Sequence, residues 1–148
     1  MTKTRITFPD HVHFFMKQTV RIQDVNYRKH LGHDRLISMI HDARANFFEE
    51  LGISELEDTP HGYILADLEV QYLDEAFFKD ELLFEVSVSE SSTRSCQIIY
   101  QVSKFTKEGN SKKIITKAKT GVVFFDYEKR QAIPLPTSLA KLNSHPLK

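Results

Sequence analysis

One segment of this chain, Asp34–Leu51, spaces its apolar residues with a helical period over several turns, and no other segment does so at comparable length. At 100° per residue, Leu36, Ile40, Ala43, Phe47 and Leu51 share one arc with Ile37 and Phe48 on its shoulder, while Ser38, Asp42, Ala45 and Glu49 lie opposite. The period predicts a helix over roughly 34–51. Asp34 suits the positive end of the helix dipole, and Gly52 falls where a left-handed C-terminal cap is wanted. Such a helix is about 27 Å long, and its single apolar stripe needs another layer to bury it.

The remaining segments read as strands. Val20 and Ile22 alternate with polar neighbours, which predicts a short first strand over Gln18–Gln23. After a loop at Ser54–His61, the residues Ile64, Ala66, Leu68, Val70 and Tyr72 alternate with Leu65, Asp67, Glu69, Gln71 and Leu73, predicting a long strand with one strongly apolar face. Phe84, Val86 and Val88, then Cys96, Ile98, Tyr100 and Val102, mark two more strands. Lys107–Asn110 is a hairpin turn leading into a strand over Ile114–Asp126. Short connections predict an antiparallel meander, so the expected architecture is an α+β fold in which one antiparallel β-sheet wraps around one long central helix. Pro134 and Pro136 precede a short helical signal at Thr137–Leu142. With 148 residues, 41% of them hydrophobic, and no internal repeat, one domain over 1–148 is expected.

Charge and cysteine content narrow the partners. Twenty basic and twenty acidic residues cancel, so the chain lacks the long-range field that draws proteins onto nucleic acid or anionic lipid. Neither nucleic acid nor membrane is an expected partner. Cys96 is the only cysteine, which excludes an intramolecular disulfide and suits a reducing cytoplasm. The first fifteen residues lack the apolar run of a signal peptide.

Polar chemistry concentrates between Asp24 and Asp42, where His30, His33, His41, Asp24, Asp34, Asp42 and Asn26 gather around the helix start. His33 and His41 are eight residues apart with no second cluster of ligands, so no metal is expected. No phosphate-cradling glycine loop or serine-nucleophile elbow occurs, Cys96 reads as a small core residue in mid-strand, and no cofactor is expected. Arg44 falls inside the apolar arc, where a charge must be paired. A buried structural salt bridge, within the chain or across a subunit interface, is the expectation for it. His41 reads as a core or interface histidine, and Asp67 and Glu69 as solvated or cross-strand paired.

The β-α-β-β-β-β order, with D-V-N-Y-R-K-H-L-G-H-D-R-L-I-S-M-I-H-D-A-R over Asp24–Arg44, resembles the hotdog-fold acyl-CoA thioesterases of the 4-hydroxybenzoyl-CoA thioesterase superfamily. Asp24, Asn26, His30, Ala43-Arg44, Leu51-Gly52, Val70-Gln71-Tyr72 and Lys79-Asp80 take the places of the family's D-x-D strand end, G-H-V-type turn, A-R pair, L-G helix end, x-V-x-Y strand and G-D turn. The resemblance spans roughly residues 15–136. It implies hydrolysis of an acyl-CoA thioester by activated water, in a homodimer or homotetramer whose acyl tunnel runs between protomers. The alternative is a non-catalytic hotdog protein that binds acyl-CoA or an acyl carrier.

One departure bears on mechanism. Where the family's aspartate-dependent branch carries its catalytic carboxylate, this chain has Asn26, and an amide is neither nucleophile nor base near neutral pH. The resemblance implies a site built from Asn26, His30, His33 and Asp34. Asn26 orients water or thioester by hydrogen bonding, and His30 acts as base or orienting donor. The His33 backbone N–H at the helix start stabilises an oxyanion. Asp34 and Asp24 are the carboxylates available to orient His30 or take over the role vacated at Asn26; Asp34 otherwise serves as a helix cap. Lys112, Lys113, Lys117 and Arg94 are candidates for the coenzyme A phosphates.

Overall fold

The computed structural model describes residues 5–55 and 59–142. The ends of the expected 1–148 domain and the middle of the Ser54–His61 loop therefore lie outside the described residues. The elements are β1 (Phe14–Thr19), α1 (His33–Glu50), β2 (His61–Tyr72), β3 (Glu81–Ser89), β4 (Ser95–Phe105), β5 (Lys112–Asp126), β6 (Gln131–Ala132) and α2 (Thr137–Leu142), with a 3-10 turn at Ile22–Asp24. All strand pairs are antiparallel, in the order β1-β3-β4-β5-β2, and β6 pairs with β5. One sheet curving around one long helix is thus the observed architecture, as the periodicity predicts.

The helix buries Leu36, Met39, Ile40, Ala43, Arg44, Phe47 and Phe48, a stripe centred slightly away from the expected arc, so that Leu51 is only partly covered. It meets Val20, Leu82, Phe84, Val86, Ile98, Tyr100 and Val102 in one apolar core. Each of the largest buried side chains here contributes roughly 1.5–3 kcal/mol by burial. Gly52 has φ +81°, the left-handed cap expected after the helix. At the other end Gly32, not Asp34, is the N-cap, and no side chain closes it.

Two expectations about strands are corrected. The first strand is Phe14–Thr19 and not Gln18–Gln23: its alternation is carried by Phe14, Met16 and Gln18, and Ile22 stands exposed on the 3-10 turn. The four late strands are not one meander either. β3, β4 and β5 run as a meander, while β2 crosses over to the far edge beside β5.

β2 also differs in which residues it presents. The register passes from Leu65↔Val122 to Asp67↔Gly121, so Ala66 is an extra, bulged residue. The bulge inverts the alternation: Tyr63 and Leu65 above it face the same way as Leu68, Val70 and Tyr72 below it, all opposite the inward residues Phe124, Val122, Thr120, Ala118 and Thr116 of β5. Ile64 therefore does not belong to the apolar face predicted for this strand. Leu65 and Leu68 are each 40% exposed, because α1 packs over β1 and β3 and leaves the β2 edge uncovered.

Candidate active site

The segment before α1 and the segment after β2 run side by side and are tied together by their backbones. Asn26 N–H donates to the His30 carbonyl at 2.9 Å, Leu31 N–H to Ala76 O at 2.8 Å, and Gly32 N–H to Asp24 O at 2.9 Å. His30 and Phe77 form a bridge. Lys29, at φ +70°, closes the tight Asn26–Lys29 turn. The result is a cleft of about 210 Å³ lined by Asn26, His30, Leu31, His33, Leu36, Tyr72, Asp74, Glu75, Ala76 and Ile115. Three of the four residues expected at the site, Asn26, His30 and His33, line it together.

Each of them has a defined task. The Asn26 Oδ1 accepts the backbone N–H groups of Arg28 (3.0 Å) and His30 (3.3 Å), so half of this amide maintains the turn. His33 is the first residue of α1, and its N–H is one of the helix-start donors with no partner inside the helix. Its carbonyl accepts the Tyr72 hydroxyl at 3.2 Å, and its ring stands edge-on to the Tyr72 ring. His30 places Nδ1 2.9 Å from Glu75 Oε1 and packs edge-on against Phe77.

The two aspartates are elsewhere. Asp24, only 1% exposed, is consumed by structure: its Oδ2 accepts the Arg21 N–H and Nε, and its Oδ1 faces Arg35 Nη2 at 3.4 Å. Burial alone would raise its pKa. The Arg21 hydrogen bonds and the charges of Arg21 and Arg35 outweigh it and hold the carboxyl below 3.8. Asp34 folds back over the helix start, its Oδ1 2.8 Å from where a Cβ on Gly32 would sit, and is not a lining residue of the cleft. Burial, and then the charge of Asp34, raise the Tyr72 phenol above its ordinary value. Neither aspartate contacts His30. The carboxylate on that imidazole is Glu75, which the sequence expectation missed because it follows β2, some forty-five residues downstream of His30. Its signal was the Asp74-Glu75 pair directly after the strand ending at Tyr72.

Since the Asp24 carboxyl is depressed in the folded state, its contribution is complete above pH 3.8 and is lost as the pH falls through the lower folded value. Asp24→Asn should therefore cost about 1.5–3 kcal/mol at pH 7, with the gap from wild type narrowing below pH 3.8. Urea midpoints at pH 7 and pH 3 check both parts.

On the wall of the cleft, Asp74 pairs with Lys113 Nζ at 2.9 Å and Lys104 Nζ at 3.9 Å, and Lys104 Nζ also donates to Glu75 O. The lysine hydrogen bond and the Glu75 N–H lower the Asp74 pKa. Of the four cations considered for coenzyme A, Lys113 thus stands next to the cleft, Lys112 faces Glu85 at 3.8 Å, Lys117 lies in mid-β5 between Gln71 and Gln101, and Arg94 sits at the opposite end of β5, its carbonyl bonded to Phe124. Glu69 pairs with Arg5 and Lys119, and Asp67 Oδ1 accepts the Gly121 N–H. Burial pushes the Cys96 thiol up to about 12, as befits an inert core residue.

Comparison with known proteins places the fold. The structure superposes on 4-hydroxybenzoyl CoA thioesterase from Pseudomonas sp. strain CBS-3 with a TM-score of 0.77 at 20% identity, over 89% of this chain and 99% of that one. It superposes on a 1,4-dihydroxy-2-naphthoyl-CoA thioesterase from Synechocystis with a TM-score of 0.76 at 18% identity, over 90% and 98%. A hypothetical protein from Staphylococcus aureus, solved in complex with CoA, matches with a TM-score of 0.78 at 14% identity, over 95% and 86%. The fold is the hotdog fold. Residues 20–142 match the family model of the thioesterase-like superfamily, and the chain belongs to that family. No curated protein matches the sequence. Among the described residues no helix is long and apolar enough to cross a membrane.

Proposed function

We propose that this protein is a single-domain cytoplasmic acyl-CoA thioesterase that hydrolyses the thioester of a small or medium acyl group. What carries the proposal is the His30–Glu75 pair, opening on the same cleft as the unpaired N–H at the start of α1. With Nδ1–H donated to Glu75, the imidazole presents the Nε2 lone pair as a base for water. The His33 N–H and the helix dipole offer a place for the oxyanion of the tetrahedral intermediate. The coenzyme A thiolate leaves as the intermediate collapses. Asn26, in place of a carboxylate, holds the turn through Oδ1 and turns its Nδ2 donors to the water or the thioester. Lys104 and Lys113, beside the cleft, supply charge for the coenzyme A phosphates.

The same structure supports a dimer formed through β2. β2 is a twelve-residue edge strand whose inward face leaves Leu65 and Leu68 each 40% exposed, while Tyr72 reaches His33 at the start of the helix. An apolar edge of this length is a template for pairing with a second chain. Antiparallel pairing of two β2 strands, related by a two-fold axis, covers it. Dimers of dimers remain compatible with this pairing.

The function is tested by following thiol release from short, long and aromatic acyl-CoAs. At least one ester should turn over; tight binding with no turnover across the series would reject hydrolysis and favour a binding module.

A further inference from the structure

A second and larger cavity, about 700 Å³, opens at the other end of β2 and is walled by α1, the start of β2, the end of β5 and the segment before α2. Its volume is in the range of small-molecule sites, whereas the 210 Å³ cleft is below it. Aromatic and aliphatic walls come from Tyr63, Phe124 and Ile133. Its polar floor is Arg44, which is 7% exposed.

Among the described residues of this chain, Arg44 is held by hydroxyls. Its Nε donates to Tyr63 Oη at 3.0 Å and its Nη1 to Tyr100 Oη at 3.2 Å; Tyr100 is in turn bonded to Thr120 at 2.8 Å. Burial raises both phenols, so they meet the guanidinium as neutral dipoles. Glu55, the acid that lines the cavity, spends Oε2 on the Tyr63 hydroxyl and Oε1 on His41 Nε2. Burial would raise its carboxyl, but those bonds and the charges of His41 and Arg44 hold it low. Among the described residues no carboxylate reaches Arg44 directly. Among the described residues, a buried cation met directly only by hydroxyl dipoles, with the Glu55 charge one phenol away, beside a roomy cavity of mixed polar and aromatic lining, offers an anchor for an anion.

We propose that the Arg44 cavity is a second binding site, which takes a carboxylate carried on an aliphatic or aromatic body. Such a carboxylate has two sources. One is a free carboxylic acid. The other is the far end of an ω-carboxyl acyl thioester, for which antiparallel β2 pairing would set the cavity of one protomer against the cleft of its partner; that source rests on the thioesterase function proposed above.

Calorimetric titration of the wild type with hexanoate and benzoate, against hexanamide and benzamide, tests the shared chemistry. The acids should bind at least tenfold more tightly than the amides, shifting the methyl resonances of Leu65 and Ile133. Hydrolysis of adipyl-CoA against hexanoyl-CoA tests the thioester source, with a preference of tenfold or more for adipyl-CoA expected. Acid binding without that preference assigns the site to free acids, and the preference assigns it to the acyl tail. Arg44→Gln should abolish either effect and Arg44→Lys should restore most of it; the wild-type comparisons stand even where Arg44→Gln does not fold. Equal affinity for acid and amide together with no adipyl preference would overturn the proposal. If no acyl-CoA is hydrolysed, the thioesterase function fails while the titrations still decide this site.

Discussion

Glu75→Gln is expected to lower kcat roughly 10²-fold with little change in KM, because general-base assistance contributes about 10²–10⁴-fold and the substitution leaves the binding surface intact. The amide is isosteric with the carboxylate but cannot hold an imidazolium as it forms, so His30 loses its orienting charge at 2.9 Å while keeping its neighbour Phe77. His30→Ala should cost at least as much, and the double variant little more than the worse single one, since the two act as a unit. Asp34→Ala should cost far less, because the Asp34 carboxylate lies over Gly32 and away from His30. Steady-state kinetics on any hydrolysed acyl-CoA measures all four. Near-wild-type turnover in Glu75→Gln would remove the dyad from the mechanism.

The second large effect concerns assembly. Leu65→Lys combined with Leu68→Lys places two charges on the inward face of the β2 edge, where each side chain is 40% exposed in the protomer and would be buried in the pair. The wild type should sediment as a dimer or tetramer, and the double variant as a monomer. Its β3-β4-β5 core, which does not include those residues, should keep its circular dichroism. If the β2 pairing completes the acyl site, the same variant should lose most of its turnover. A wild type that is monomeric at micromolar concentration would end the edge-pairing proposal.

How much of this was legible in the sequence depended on whether the signal was local. The helix was readable within a residue of each end because its period, the acid in its first turn and Gly52 are all encoded in contiguous sequence. β3, β4 and β5 were readable because each alternates cleanly between turns. The place of β2 was not, since neighbouring strands in sequence usually pair and only the tertiary crossover puts it beside β5. Its bulge has no glycine or proline at Ala66; the mark is Gly121 on the facing strand, paired with Asp67 at the register shift. At the site, Asn26, His30 and His33 fall within eight residues ending at the helix start and could be grouped from sequence alone. Glu75 could not, because the backbone bonds that draw it to His30 connect segments on either side of α1 and β2. The phenols on Arg44 were hidden for a related reason: a wheel shows that a cation is inside, but not that hydroxyls from β2 and β4 reach it.

The extra residue at Ala66 has a consequence for anyone redesigning the strand. It takes up one step of the strand's alternation: with Ala66 removed, Leu65 and Asp67 become successive residues of one regular ladder, opposite Val122 and Gly121. Asp67 and Glu69 would still point outward, and Leu68, Val70 and Tyr72 would still face inward, opposite Thr120, Ala118 and Thr116. A single-codon deletion at this point is thus a mild change, whereas deleting Leu68 would turn Glu69 and Gln71 inward and Val70 and Tyr72 outward.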